Sequence, residues 1–421
     1  MINGGGAECV VGPQLGQFRD RVRPLAEAME KQADLDPRDF ANDADQLAPL
    51  FKAEKEALLN AHLGRLTKVD LDRELSEKAL VIAVGGGGGC GYVHLGTFSV
   101  LEQLRLAPKL LIGSSIGSIL GSFRARELHF RDSTVRAVTH GLTFKKLFRV
   151  LDTDCRYAMP GTLRLYLRTS LARFFMRDDG DSMRIGDLPI PFVVVVTGVQ
   201  RSLAAEVQNF EQMFRQELRR GALGRLLHLK DLVTNMAVFL SRLIATAGAL
   251  VPIALGSDEL TRDFDVLDAV GFSASVPAVI QYDIHREDPR MHELVQNVLT
   301  KHGVDALADG GISSNVPARF AWEHVQSGGI KTRNAFVLGL DCFAPQIGRN
   351  MLFLPLQRIA AENVSRDAPF AHLLFTYKRV LSPTSLVPRL RSLELAIKNG
   401  REEFLKEAPF LQKMMEPLPA L

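Results

Sequence analysis

The strongest constraint on the fold is a short apolar run that breaks into glycine, followed soon after by a second run that breaks into a serine turn. Residues 79–84 read ALVIAV, a β-rich run, and lead into Gly85-Gly86-Gly87-Gly88-Gly89-Cys90-Gly91. Helical spacing follows at Tyr92, Leu95, Phe98, Val100, Leu101 and Leu104. Lys109–Ile112 then predicts a second strand, Gly113-Ser114-Ser115-Ile116-Gly117-Ser118 a tight turn, and the residues to about Arg126 another helix. Strand, glycine loop, helix, strand, turn and helix in that order predict an α/β protein with a mostly parallel sheet flanked by helices.

The rest of the chain is read around this centre. PIPFVVVVTGV at 189–199 is a continuous apolar run, as expected of a parallel strand buried on both faces. Residues 271–280 predict a loop, 308–317 a turn motif and 334–341 a final strand. Residues 1–14 are glycine-rich and expected to be mobile. Residues 15–78 predict two or three amphipathic helices, with a break near Asp36-Pro37. The expected organisation is an N-terminal helical segment over 1–78, a core domain over 79–345 and a C-terminal helical region over 346–421. The core carries a helical insertion over 202–255, and the C-terminal region breaks at a Pro-rich stretch over 383–388.

Three motifs carry chemistry. Gly113-Ser114-Ser115-Ile116-Gly117 fits G-x-S-x-G, where a sharp strand-to-helix turn exposes the central serine hydroxyl beside a helix N-terminus. That singles out Ser115 rather than Ser114. The glycine run after ALVIAV permits two readings. Gly86-x-Gly88-x-x-Gly91 fits a dinucleotide fingerprint, but the second strand ends in Gly-Ser-Ser and lacks the ribose-binding acid. Alternatively, consecutive glycines present backbone N–H groups to a developing oxyanion. Asp309-Gly310-Gly311 places an aspartate on an uncrowded turn. Alone it reads as an Asx-type turn, but beside the other two motifs it reads as part of a site.

Taken together, the glycine loop, the G-x-S-x-G turn and Asp309-Gly310-Gly311-x-x-x-Asn315-x-Pro317 resemble the patatin-like phospholipase family. His94-Leu95-Gly96 and Ala274-Ser275 near Pro277 add to the likeness, which spans roughly residues 79–341. The resemblance implies a serine acyl hydrolase with a Ser–Asp dyad that needs no cofactor and no metal. It implies Ser115 as nucleophile, Asp309 as base and the N–H groups of Gly87, Gly88 and Gly89 as the oxyanion hole, with Gly86, Gly91, Gly113, Gly117, Gly310 and Gly311 as supporting positions. The family pattern has Arg or Lys where this chain has Cys90. That departure motivates an alternative, a lipid- or partner-binding scaffold with little turnover. A Ser–acid–His triad using His324 or His372 is the other arrangement to weigh; His324 reads as a solvated helix residue and His372 as a core or interface residue.

Composition narrows the partners. Against 51 Lys and Arg stand 48 Asp and Glu, a net charge of +3, too balanced to indicate nucleic acid. The four cysteines form no metal-ligand spacing and read as free thiols in a reducing compartment. The N-terminus lacks a basic-then-apolar secretory pattern, so the expected location is cytoplasmic, with peripheral membrane contact. Residues 232–255 are mostly apolar around Arg242, which predicts a buried helix or a lid touching lipid through 202–255 rather than a span. The expected partner is a lipid or membrane-surface substrate. The stretch 372–391 mixes apolar and basic residues and reads as a solvated helix or an anionic-lipid contact. Nothing in the sequence sets the oligomeric state.

Overall fold

A computed structural model describes residues 2–4, 7–9, 11, 15–30, 37–150, 155–200, 250–345 and 354–417. The chain divides into two compact units. The first contains residues 1–79, 325–336 and 413–421. In it β1 (Ile2–Gly4) and β2 (Ala7–Cys9) pair antiparallel, so these residues of the glycine-rich start are strands, where a mobile arm was expected. The reason is burial: Cys9 and Val11 join Leu58, Leu66 and Leu71 in a small apolar core. Three helices follow, α1 (Leu15–Glu30), α2 (Pro37–Ala61) and α3 (Lys68–Ser76). The Thr67 side chain caps α3 by accepting from the Asp70 N–H, and the Asp70 carboxylate returns a bond to Thr67.

The second unit, residues 80–324 and 337–412, holds the predicted α/β architecture. Its main sheet comprises β3 (Ala79–Val84), β4 (Leu110–Ser114), β7 (Phe192–Gln200), β8 (Leu250–Leu255), β10 (Val304–Ala308), β11 (Ala335–Asp341) and β12 (Leu373–Thr376). The strand order is β10-β7-β4-β3-β11-β12, with β8 pairing β7. Parallel pairs join β3 to β4, β4 to β7 and β11 to β12. A second sheet of β5 (Phe148–Val150), β6 (Gly161–Leu165) and β9 (Ala278–Gln281) lies apart from it in the pairing scheme. β3 and β4 are buried at every position, as their unbroken apolar runs require.

One detail of this sheet builds the site. β8 pairs with Val194–Val199 along one edge of β7. The other edge is shared: β4 runs parallel to β7 and ends with Ser114 opposite Val195, while β10 runs antiparallel and ends with Ala308 opposite Thr197. The two strands therefore approach head to head, and the residues after each, Ser115 and Asp309, leave the sheet at the same place.

Several expectations need correction. Most of the predicted helical insertion falls on residues 201–249, outside the described residues. Its last six residues are β8, a strand: LVPIAL is short and apolar, and Pro252 is tolerated in a strand whose partner lies on one side. The predicted loop at 271–280 is instead the end of a helix, Val266–Ser273, followed by β9. Residues 337–412 group with the α/β core rather than forming a separate C-terminal region, because β12 extends the main sheet and helix Leu390–Phe404 packs on helix α4 (His94–Gln103). The 372–391 stretch is accordingly strand and loop, not helix. Among the described residues no helix is long and apolar enough to cross a membrane.

The packing of α4 on Leu390–Phe404 depends on two glycines. A Cβ on Gly400 would collide with the Val93 carbonyl, and one on Gly96 with the Ile397 carbonyl. Backbone cannot yield as a side-chain tip can. Gly400→Ala is therefore expected to cost about 1–3 kcal/mol through forced separation of the two helices, read as a lowered melting temperature. A substitution at Gly141, where a Cβ meets open space and φ is not positive, serves as the contrast.

Candidate active site

Ser115 sits at the turn between β4 and helix α5 (Ile116–Ala125) with φ 51° and ψ −130°. Among the described residues only one other non-glycine residue, Arg105, has positive φ. Strain at this point is what exposes a serine side chain between strand and helix. The flanking glycines are sterically required. A Cβ on Gly113 would stand 2.6 Å from the Ser118 Cα, and one on Gly117 would collide with the Val84 carbonyl. Ser114 points the other way: it is fully buried, and its hydroxyl donates to the Asn315 carbonyl at 2.5 Å.

Asp309 follows β10 and is 4% exposed. The Gly311 N–H donates to its Oδ1 at 2.7 Å. A Cβ on Gly310 would collide with the Val195 carbonyl, which explains the glycine after the aspartate. Burial pushes the Asp309 carboxyl up from its usual range to about 7, opposed by hydrogen bonding from the Ser115 side chain and the Gly311 N–H. Oδ2 is buried and lacks a bond of full geometry among the described residues. The Ser115 side chain is the neighbouring hydroxyl whose hydrogen bonding holds the Asp309 pKa down.

Three hydroxyls frame the pair, and none was singled out by sequence reading. The Ser273 hydroxyl donates to the Val195 carbonyl at 2.6 Å and accepts from the Ser115 N–H at 2.9 Å, tying the elbow to β7. The Thr197 hydroxyl donates to the Asp309 carbonyl at 2.7 Å and lies 2.8 Å from the Ser313 hydroxyl. A signal for Thr197 was present: it is the lone hydroxyl in the buried run of β7. Ser275, part of the quoted resemblance, contributes its carbonyl to the Asp309 N–H rather than its hydroxyl.

The glycine loop lies beside the elbow. A Cβ on Gly86 would stand 2.8 Å from the Ser115 Cβ. Gly87 and Gly88 adopt φ 147° and 56°, values that exclude most side chains. Their N–H groups donate to no described group, and both residues line the cavity at Ser115. Gly89 departs from expectation. Its N–H already donates to the Pro383 carbonyl at 2.9 Å, so it is not free to hold an oxyanion. His94 steadies the loop from behind: fully buried, its Nε2–H donates to the Gly85 carbonyl at 3.0 Å, and burial lowers its pKa to about 4, which keeps it neutral. Cys90 is buried, its thiol donates to the Leu381 carbonyl at 3.1 Å, and burial raises its pKa to about 12.

Ser115, Asp309, Gly87 and Gly88 open into a cavity of about 470 Å³, a size suited to a small-molecule ligand. Its walls are largely aliphatic and aromatic, including Leu120, Phe123, Leu147, Phe148, Leu163 and Ile359. Phe144 belongs to this wall and is 45% exposed, so the apolar surface continues outward beside exposed Lys145 and Lys146. No described histidine lines the cavity. His324 is 8% exposed rather than solvated, with its pKa lowered by burial and by Arg262. His372 is exposed rather than core, and its Nδ1 accepts from the Val337 N–H at 2.9 Å, which occupies it in β11.

Fold and site together define an α/β protein with an elbow serine and a buried aspartate facing one apolar cavity. The family model for patatin-like phospholipases matches residues 82–322, more than half of the chain, and the chain belongs to that family. It is similar to Lysophospholipase NTE1 of Saccharomyces cerevisiae, at 28% identity over 92 residues, covering 22% of this chain and 6% of that protein. Human Patatin-like phospholipase domain-containing protein 6 is 29% identical over 132 residues, covering 31% of this chain and 9% of that protein. Lysophospholipase nte1 of Aspergillus fumigatus is 37% identical over 57 residues, covering 14% and 4%. The chain thus spans less than a tenth of the length of these relatives.

Two outcomes follow from the electrostatics. A carboxyl with pKa near 7 stays protonated in the folded protein at pH values where the unfolded chain has already ionised it. Its favourable contribution is present below about pH 4 and is lost as pH rises toward 7 and beyond. Melting temperature is therefore expected to carry a downward slope across that window that Asp309→Asn lacks. Cys90→Arg is expected to destabilise the fold, because a guanidinium would have to enter a space closed by the Leu381 carbonyl. A rise in ester turnover at unchanged melting temperature would contradict this.

Proposed function

We propose that this protein hydrolyses the carboxylic ester of a phospholipid or related lipid through an acyl-serine intermediate, an activity of phospholipase A type. The observation that carries the reading is the junction of a strained Ser115 with a buried Asp309 poised near pH 7, both facing one apolar cavity. In this reading Ser115 Oγ attacks the ester carbonyl while its proton passes to Asp309. The Gly87 and Gly88 N–H groups take the negative charge that develops on the carbonyl oxygen; each such donor is worth on the order of 3 kcal/mol. The proton on Asp309 then goes to the departing alcohol oxygen, leaving an acyl ester on Ser115. Water that gives its proton to Asp309 attacks this ester, and Asp309 returns that proton to the departing Ser115 Oγ as the fatty acid is released. The apolar walls fit an acyl chain, since each CH₂ moved out of water contributes about 0.8 kcal/mol. Two of the named relatives are lysophospholipases, which is consistent with a single-chain lipid as substrate.

A fluorophosphonate probe is expected to label wild-type protein on the peptide containing Ser115. The label should be lost in Ser115→Ala and largely kept in Ser114→Ala. Ester turnover should rise with pH through a limb near 7 as Asp309 ionises, and Asp309→Asn should be at least about 1000-fold slower because an amide accepts no proton. Long-chain esters should be favoured over short ones in kcat/KM. A folded protein that binds long-chain lipid but neither labels nor turns over would move the reading to the binding scaffold suggested by Cys90. Collapse of turnover in folded His324→Ala would move it to a triad.

A further inference from the structure

The loop that carries Gly87 and Gly88 has two faces, and only one meets Ser115. The other is pressed against Leu381–Leu386, nearly three hundred residues further along the chain. A Cβ on Gly88 would stand 2.5 Å from the Pro383 carbonyl, and one on Gly89 would stand 2.7 Å from the Ser385 carbonyl. Three hydrogen bonds cross this contact: Gly89 N–H to the Pro383 carbonyl at 2.9 Å, the Cys90 thiol to the Leu381 carbonyl at 3.1 Å and the Tyr92 hydroxyl to the Leu386 carbonyl at 2.8 Å. The segment is itself held as a turn, with Ser385 N–H on the Ser382 carbonyl at 2.9 Å and Leu386 N–H on the Thr384 carbonyl at 2.8 Å.

We propose that Leu381–Leu386 is the element that fixes the oxyanion glycines in this chain, and that Tyr92 is the positioning residue that couples the two. This rests on the reading of Gly87 and Gly88 as oxyanion donors. A run of five glycines is the most costly backbone to hold still, yet transition-state donors must be held within about 0.5 Å. The loop itself supplies almost no side chains for that purpose. Where the family pattern has a basic residue, this chain has a thiol, a weak donor. The strong side-chain donor across the contact is the Tyr92 hydroxyl. Tyr92 is 7% exposed and lines the cavity together with Pro383, Thr384 and Leu386, so the same contact that holds the glycines also shapes the wall beside the ester. A neutral clamp of carbonyl acceptors thus stands where a charge is expected.

The test compares wild type with Tyr92→Phe, which removes one oxygen and keeps the ring. The expected result is a kcat lower by roughly 10- to 100-fold, as for a displaced catalytic group, with KM within about twofold because the apolar wall remains. The pH limb near 7 should not move, since Asp309 is untouched. Fluorophosphonate labelling of Ser115 should slow with kcat. Hydrogen exchange, which needs no activity, should show faster exchange at the amides of 87–90 at an unchanged melting temperature. Cys90→Ser, which keeps a hydroxyl donor, should retain turnover, and Cys90→Val should lose part of it. Unchanged kcat and unchanged exchange in Tyr92→Phe would overturn the proposal, as would a rise in KM alone, which would make Tyr92 only a piece of the acyl wall. If wild type neither labels nor turns over, the function reading fails, and exchange at 87–90 still decides whether Tyr92 holds the loop.

Discussion

The site depends on one irregularity in the sheet, the head-to-head meeting of β4 and β10 along a single edge of β7. A wholly parallel sheet sends every strand end out on the same side, with neighbouring ends a full strand spacing apart. Here one strand arrives from each direction and both stop around Val196. The serine of one and the aspartate of the other emerge together, and no long side chain has to bridge them. The hydroxyls of Ser273 and Thr197 anchor the two emerging chains to β7 itself. Any displacement of β10 along β7 would part Ser115 from Asp309.

In the proposed mechanism a buried carboxylate works without a histidine because of where it is placed. Water is largely excluded around Asp309, so its proton affinity rises into the range where, on that proposal, a serine proton is accepted and returned near neutral pH. The same burial costs the folded state when the group ionises, so the proposed role as base and stability oppose each other at this residue. In the proposed mechanism the glycine loop works by the opposite means. Its donors are neutral and belong to the backbone, and their worth lies in being held still rather than in charge.

Much of this was legible in the sequence where sterics leave no choice. Gly113 and Gly117 flank the serine because backbone passes within contact distance of both, and Gly310 follows the aspartate for the same reason. The unbroken apolar runs of β3, β4 and β7 announced buried strands. What stayed hidden was whatever partners decide. LVPIAL became a strand because β7 offered a free edge, and HLLFT because β11 did. Local pattern cannot show either partner. The occupied N–H of Gly89 was hidden likewise, since five adjacent glycines look equivalent until a carbonyl from residue 383 selects one. Ser273 was passed over because residues 271–280 read as a loop, where a serine needs no partner, and only the tertiary contact shows it joining the serine turn to β7.

The C-terminal supports carry a consequence for what counts as the domain. The match to the family model ends at residue 322, yet the Leu340 carbonyl accepts the Gly85 N–H, the Cys342 thiol donates to the Gly86 carbonyl at 3.2 Å, and Gly400 lets a helix seat against Val93. The stretch that is recognisable and the stretch that is mechanically complete are therefore different lengths. A piece cut at 322 would keep every chemical group of the site and lose the backing that gives the glycine loop its shape. In this chain part of the rigidity behind the glycine loop is written well beyond the residues that carry the chemical groups of the site.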